Sequence, residues 1–581
     1  MKASEISIEM VKNITVFFLL IASVSLPGQH YDNHWMMGYF GGSESSPTDS
    51  FGISILSFFD ATLRIENDQS IDLFFDGSGN SLSNFSGDLL LYSNNLEIRN
   101  AEDEVIENGV LEANGEPEKI FPQSFVYLPF SENNLVYYLQ ISYTDDFPRL
   151  GKSVSSSLIE TQGIIGVSSQ VENILQDSLS IGHLTACRHA NGRDWWVLVA
   201  KANSSLVFSI LLSPHGVTRI DTTVVDHNMF SGLGQSVFSP DGERFVRVSL
   251  VGGQEVVDYL DVFDFDRDSG KLSNQRRISI GPNAGAGGVA VSASSQFLYV
   301  SHTNYLYQYD LWDENIATTK DTVAIYDGFQ ETNFFSTTFF LAQLAPDGKI
   351  YLNSPSGVRK LHVIESPDER GGACDVRQHS ISLPNFNAFT LANHPNYRLG
   401  PIDGGLSDTL GIDNLPRAYY RIDRRAEDSL WFHFQDLSFF EPTSWSWTFG
   451  DGGNSLERHP NHTYATSGIY EVCLTVSNAT DSDTYCRTLE LGPSSIQSQQ
   501  PIEFKVFPNP TQGIAVFDLG NYMPLNGKLM LYDGNGRKIL EQQFLYSQAQ
   551  INLVDLPPAI YHYSFWDGGQ QLGQGKIIRS R

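Results

Sequence analysis

The sequence is poor in cysteine, poor in basic residues, and has no long apolar run beyond its N-terminus. Four cysteines in 581 residues exclude a scaffold built on disulfides. Lys and Arg number 37 against 67 Asp and Glu, a formal charge of −30. That excess excludes a basic nucleic-acid surface and docking on anionic lipid. No later stretch reaches the ~18 apolar residues of a spanning helix, so no integral membrane segment is expected. G-x-S-x-G, H-E-x-x-H, the P-loop, G-x-G-x-x-G and C-x-x-C are all missing. Acidic pairs of the glycosidase kind are uninformative among 67 carboxylates. What is present is enough apolar material for large cores, 41% hydrophobic and 12% aromatic, over a length that suits about three to five domains.

Lys2 and Lys12 precede an apolar run from Ile14 to Val24, and Ser23, Ser25, Pro27 and Gly28 follow. A basic start, an apolar core and small residues at its end predict a secretory signal peptide over residues 1–28, cut between Ser25 and Gln29. The run is too short for a membrane anchor. Export permits disulfides. If Ala479-Thr480 forms a two-residue hairpin loop, Cys473 and Cys486 fall opposite each other on a non-hydrogen-bonded pair, where side chains are closest. By elimination, Cys187 would pair with Cys374.

Residues 29–400 consist of short apolar and aromatic runs split by turns, such as Phe125-Val-Tyr-Leu-Pro-Phe and Trp195-Trp-Val-Leu-Val-Ala. Three segments resemble one another, beginning at Ser236, Ala290 and Ala342, and each reads strand, tight turn, strand. From Ser239 to Ala293 to Ala345 the steps are 54 and 52 residues. A period near 50 in all-β sequence predicts a β-propeller, here of six or seven blades, each burying its faces against its neighbours. Ser239-Pro-Asp-Gly and Ala345-Pro-Asp-Gly resemble the turns of WD40-like and TolB-like propeller repeats. Pro sets φ, Asp bonds back to the backbone and Gly supplies positive φ. Strands Ile53–Phe59 and Ala61–Ile65 are candidates to close the propeller and remove its free edges. Alternating acids at Asp264-Phe-Asp-Arg-Asp-Ser-Gly invite a calcium reading, but Ser269 and Gln275 stand where an EF-hand needs Gly and Glu. A hairpin is the better reading. No cofactor is expected, with structural calcium at an acidic surface as the one open option.

Residues 401–415 are turn-rich and read as a linker. Then come Ser444-Trp-Ser-Trp447-Thr-Phe449-Gly450-Asp451-Gly452, His459-Pro-Asn-His462-Thr-Tyr464 and Gly468-Ile-Tyr470-Glu-Val-Cys-Leu-Thr-Val-Ser-Asn. In order and spacing this resembles the PKD domain, and it implies an immunoglobulin-like β-sandwich over residues 416–493. Trp447 and Phe449 would anchor its core. His459 and His462 with Asp451 suggest a metal site. The pattern favours loop ordering instead, because no convergent fourth ligand is in sight.

A polar linker, residues 494–501, leads to the last segment, residues 502–581. It carries Phe507-Pro508-Asn509-Pro510-Thr-Gln-Gly513, then Asp533-Gly-Asn-Gly536-Arg537, then Leu556-Pro-Pro-Ala-Ile-Tyr561, and closes on Lys576-Ile-Ile-Arg. These resemble the type A C-terminal sorting domain of type IX secretion, with Phe507 for the usual Tyr and Ala559 for a common Gly. The resemblance implies a small seven-stranded β-sandwich and an encounter with the type IX machinery. It also implies delivery through the periplasm to the outer surface of a Gram-negative cell or into the medium. The function expected is non-catalytic binding or adhesion, with the propeller as platform for an extracellular protein or glycan and the PKD domain as spacer or interaction module. An extracellular polysaccharide hydrolase or lyase working on the propeller axis is the alternative.

Overall fold

The computed structural model describes residues 30–38, 51–111, 121–491 and 505–580, apart from residues 69, 72, 76, 131–133, 145–149, 163–164, 168–171, 251–256, 283–284, 333, 425–429, 520–526, 534–536, 545–547, 555 and 568–569. The signal peptide, the linker 494–501 and Gly536 lie outside them. The chain forms two compact units. One is Met1–Arg425 with Trp431–Thr463 and Glu471–Thr488, and the other is Leu489–Arg581 with Ala426–Leu430 and Tyr464–Tyr470. Helix among the described residues is confined to two short 3-10 turns, Ile316–Thr319 and Gly371–Cys374.

The first unit contains a β-propeller, with seven blades among the described residues. Blade 1 has three strands, His34–Gly38, Ile53–Phe59 and Thr62–Asp68. The first strands of blades 2 to 7 begin at Asn80, Phe125, Thr185, Leu233, Gly287 and Ala342. Each blade is an antiparallel meander, with its first strand packed beside the first strand of a neighbour. Inner strands such as Phe125–Phe130 and Trp195–Ala200 are buried throughout, which accounts for their unbroken apolar composition. The outer strand Gly216–Met229 is largely exposed and carries three Thr and two Asp. Blades 2 and 3 also join at their edges, where Gly166 pairs in parallel with Glu107.

The hydrophobic cores lie between blades rather than within them. One holds Trp196, Val207, Phe245 and Phe263 from blades 4 and 5, and another Val246, Leu260, Val289 and Val300 from blades 5 and 6. The closing one packs Trp35, Leu56 and Phe58 of blade 1 against Tyr351, Leu361 and Leu383 of blade 7. Among the described residues no strand is shared across this seam; it is sealed by side chains. The same partition overturns the second expected disulfide. Cys187 lies in the core of blades 4 and 5 and Cys374 in that of blades 6 and 7, and both are buried free thiols. Cys473 and Cys486 are bonded, with Cα atoms 4.1 Å apart, on strands whose loop closes through Asn478 N–H to the Asp481 carbonyl at 3.1 Å.

The repeat is more regular than the sequence suggested. The turn residues are Ser239, Ser292 and Ala345, each accepting a hydrogen bond from the N–H three residues on, at Gly242, Ser295 and Gly348. They are evenly spaced by 53 residues. Blade 6 starts its turn one residue earlier than alignment on Ala293 implied, because Ser295 takes the positive φ (63°) that Gly242 and Gly348 take in the others.

Seven inner strands leave a hole on the axis, and the chain fills it. After the last strand of blade 7, residues 388–400 run down the channel. Asn393 is their hub: it exchanges hydrogen bonds with Asn80 (2.8 and 3.3 Å) and accepts from Gln123 (3.0 Å). It also donates to the carbonyls of Phe125 (2.9 Å) and Leu184 (3.0 Å). A second hub, Gln235, donates to the Ala342 carbonyl (2.7 Å) and accepts from the N–H groups of Val289 (3.0 Å) and Ala342 (3.1 Å). Gln123 links the hubs through a two-way bond with the Ser236 backbone, 2.8 Å each way. All of these groups are buried. Inner strands pair only outward within their blades, so side-chain amides supply the buried partners that the axis requires.

The other described parts are two sandwiches. The PKD-like one stacks Tyr420–Arg424, Trp431–Asp436 and Asn461–Thr463 on a four-stranded sheet containing Ser444–Thr448 and Gly468–Ser477. Trp447, Phe449, Phe434, Val472 and Leu474 are buried in it, and the Trp447 indole donates to the Glu457 carbonyl at 3.0 Å. The C-terminal one has sheets of three and four strands around Phe517, Leu529, Leu531, Ile551, Phe565 and Ile577. Asn393→Ala should destabilise the first unit by about 2–4 kcal/mol, since it removes one of the two acceptors of the Gln123 amide and the side-chain donor of two carbonyls in a dry core. Denaturant unfolding of the mature chain checks this.

Candidate functional site

The three repeated turns share one mouth of the propeller, and the PKD-like sandwich packs onto that mouth within the first unit. Arg421 is the main clasp. Its guanidinium donates to the Asp347 carbonyl in the blade 7 turn and to the Glu365 carbonyl (3.4 Å), and Asp423 holds its Nε at 2.9 Å. Gly348 leaves room for Leu437: a Cβ there would sit 2.6 Å from the leucine side chain. On the far side Tyr419 accepts from the Ala61 N–H at 2.5 Å, and Tyr485 donates to Asp60 at 2.5 Å. Residues 401–415 are tied down as well, Ile402 N–H to the Ala190 carbonyl at 2.8 Å and the Asn414 amide to the Pro401 carbonyl at 2.9 Å.

Between sandwich and propeller lies a cavity of about 690 Å³. Its walls include the turns at Pro240–Asp241, Ser294–Ser295 and Ala345–Pro346, the plug residues His394–Leu399, and the sandwich loop Leu437–Thr443. Ligand sites favour such junctions. Five titratable groups, Arg398, Asp32, Arg267, His394 and Glu441, line its centre. Arg398 clamps Asp32 through two bonds of 2.6 Å; burial raises the Asp32 carboxyl, and the guanidinium outweighs that and holds it below its usual range. Arg267 is 5% exposed and spends Nε and Nη2 on the carbonyls of Arg188, His189 and Gly400. It has no carboxylate ion-pair partner among the described residues. His394 is kept neutral, its pKa lowered to about 4, mainly by burial with Arg398 adding to it. Glu441 is pushed above the usual carboxylate range by burial and then by Asp403, with Arg267 offsetting part of it. Phe440 and Glu441 both take left-handed backbone (φ 63° and 52°) on this wall. Such strain persists only where the surroundings impose it, and it concentrates at binding sites.

The motif residues have other duties. His462 bonds to Asp451 at 2.8 Å and stacks on Phe449 at 4.1 Å, while His459 accepts from the Asp436 N–H at 3.1 Å. Gly450 and Gly452 take the positive φ of their turn (81° and 95°), and Tyr464 lies 4.3 Å from Tyr470, just past Gly468. Among the described residues no three His, Cys, Asp or Glu gather as metal ligands do. Asp264 is held by Arg276, Arg244 (3.3 Å) and Asn274 (2.6 Å), and Asp266–Gly270 closes a hairpin. In the C-terminal sandwich, Asn509, between Pro508 and Pro510, donates to the Lys576 carbonyl and accepts from the Ile578 N–H, each at 2.9 Å. The opening motif is thereby stitched to the closing strand. Gly513 N–H bonds to Thr511 (3.1 Å), Arg537 N–H to Asp533 (3.0 Å), Leu556 N–H to the Leu553 carbonyl (3.0 Å) and Tyr561 to the Pro557 carbonyl (2.7 Å).

Residues 505–579 match the secretion system C-terminal sorting domain. Residues 416–492 match the PKD domain. The chain is therefore a substrate of type IX secretion, delivered to the cell surface or the medium, and none of the described helices is long and apolar enough to cross a membrane. No curated protein matches the chain. Among solved structures, the PKD1 domain of the Vibrio cholerae metalloprotease PrtV is 31% identical, with 13% of this chain and 96% of that one covered and a TM-score of 0.13. PorZ, a surface component of the type IX secretion system of Porphyromonas gingivalis, is 10% identical, with 92% and 69% covered and a TM-score of 0.32. A putative 6-phosphogluconolactonase from Bacteroides uniformis is 12% identical, with 60% and 96% covered and a TM-score of 0.37.

The sequence pointed to none of Arg267, His394, Arg398 or Glu441. They come from blade 5, the plug and the sandwich, and only the repeated turns hinted where these would meet. Arg421→Ala should loosen the sandwich by about 1.5–3 kcal/mol, seen as two thermal transitions and faster proteolysis within residues 401–415. Acid should also weaken the first unit. His30 and His394 titrate near pH 4, and His183 and His362 near pH 3, all lowered by burial. The unfolded chain takes up protons from about pH 6.5 downward while the folded one does not. Stability is thus full above pH 7 and falls between about 6.5 and 4, which melting temperatures across that range will register.

Proposed function

We propose that this chain is an exported, non-catalytic binding protein that holds an extracellular protein segment or glycan in the cavity between its propeller and its PKD sandwich. The filled axis supports this reading most directly. Propeller enzymes of the kind anticipated from the sequence would work on the axis, and here amides from three blades and the plug occupy it. The polar groups of the cavity are also poorly suited to proton transfer. Asp32 is neutralised by Arg398, His394 stays uncharged, and Glu441 is raised above the usual carboxylate range by burial. On this reading the sandwich is a wall of the site and not a loose spacer. Arg267 and Glu441 together give a donor and an acceptor for a ligand that is polar without being highly charged.

The test uses mature protein on arrays of glycans and of extracellular peptides, with product analysis by chromatography. Glu441→Gln should weaken capture at least fivefold with an unchanged melting temperature and no bond cleavage in either protein. Release of shortened products by the wild type, lost in Glu441→Gln, would make the chain a hydrolase or lyase instead.

A further inference from the structure

Blade 1 stops at three strands among the described residues, and its third, Thr62–Asp68, is an edge where the other blades carry a fourth. The outermost strands of those six blades are tied together in neighbouring pairs. Glu107 meets Gly166 between blades 2 and 3. Gln275 accepts from the His227 N–H at 2.7 Å between blades 4 and 5, and Gln378 donates to the Ile325 carbonyl at 2.9 Å between blades 6 and 7. Each of their outermost pairings is also broken by a register shift. Bulges and covered edges of this kind keep a sheet from recruiting another strand. Thr62–Asp68 pairs with Ile53–Phe59 without any shift, and no proline or lysine interrupts it. Its bond across to blade 7, from Asn385 to the Asn67 side chain at 2.6 Å, leaves the backbone free.

The turn before this strand decides which of its backbone groups face outward. Asp60 and Ala61 form a two-residue loop, both in left-handed backbone (φ 51°). Phe59 and Thr62 therefore exchange both backbone hydrogen bonds, and bonded pairs alternate from there. Thr62, Arg64, Glu66 and Asp68 direct their backbone groups at the neighbouring strand. Leu63, Ile65 and Asn67 point theirs outward, and among the described residues none of these N–H and C=O groups has a partner. The strand is held at both ends, by Tyr419 and Tyr485 at the turn and by Asn385 at Asn67. Arg64 and Glu66 are exposed on one face and enter no ion pair among the described residues. On the other face Leu63 and Ile65 lean on the core shared with blade 7.

We infer that this edge pairs antiparallel with the same edge of a second copy of the chain, giving a two-fold dimer. Centred on Ile65, the pairing lays Leu63 against the partner's Asn67 and Ile65 against the partner's Ile65. Every outward backbone group of both strands is then bonded. The same register brings Arg64 opposite the partner's Glu66, and Glu66 opposite the partner's Arg64. These are non-hydrogen-bonded pairs, with Cα atoms about 4.5 Å apart, where opposite charges on facing side chains are closest. The neighbouring registers set Arg64 against Arg64 or Glu66 against Glu66, which is repulsive, and they satisfy fewer backbone groups. The strand is thus complementary to itself in one alignment, as a two-fold contact requires. It is also ordered beforehand, so pairing costs little further entropy. The overall charge of −30 sets copies against each other at low salt. At physiological ionic strength a screening length of about 8 Å removes most of that repulsion.

The experiment is sedimentation velocity of the mature full chain over a rising concentration series at physiological ionic strength. A reversible monomer–dimer equilibrium is expected. Arg64→Glu places a carboxylate opposite the partner's Glu66, and Glu66→Arg places a guanidinium opposite the partner's Arg64. Each should weaken the dimer at least tenfold with the melting temperature unchanged, since both side chains are exposed. Mixed together, the two single variants should form a heterodimer, and the double variant Arg64→Glu/Glu66→Arg should dimerise as the wild type does. A wild type that stays monomeric at every concentration would overturn the proposal, even if the strand captured some other protein. A dimer that both single variants leave intact would overturn it too, because it forms through another face. So would a mixture of the two variants that stays monomeric.

Discussion

A closed circle of blades has a geometric debt at its centre, and everything else in this molecule depends on how it is met. Seven inner strands turn their pairing edges outward, and what faces the axis must be satisfied without a further strand. Asn393 and Gln235 do so with bifunctional amides, each donating and accepting toward two blades. Amides are suited to this because one planar group carries both roles. The plug they anchor then supplies the floor of the cavity at one end.

Much of the architecture was legible because it depends on local pattern. Trp195-Trp-Val-Leu-Val-Ala could only be a strand buried on both faces, and Ser239-Pro-Asp-Gly could only be a tight turn. The hairpin geometry around Ala479-Thr480 brought Cys473 and Cys486 together on the page as in space. Assigning Cys187 to Cys374 failed because elimination is arithmetic and not geometry: two buried thiols in different inter-blade cores satisfy burial separately. The repeat was legible, and its one-residue offset was not, since Ser295 accepts a left-handed conformation that sequence reading reserves for glycine.

The binding surfaces were the least legible part. Arg267, His394 and Glu441 are ordinary in their own segments and become a site only when blade 5, the plug and a sandwich loop converge. The turns themselves gave the nearest hint. Their regularity was read as scaffold alone, yet by presenting bare backbone carbonyls at one mouth they give Arg421 something to grip.

The seam between blades 1 and 7 has a consequence in time. Blade 1 is also fastened to the plug and the sandwich, far along the chain: Asp32 to Arg398 across 366 positions, and Asp60 to Tyr485 across 425. Contacts this remote are slow to find, because the loop must close before they repay its entropy. The first blade to leave the inner membrane is therefore the last to be completed. It waits with one face bare until the plug and then the sandwich tyrosines arrive. For a protein bound for export, that interval is when helpers in the periplasm have most to protect, and it ends only after nearly the whole chain has crossed.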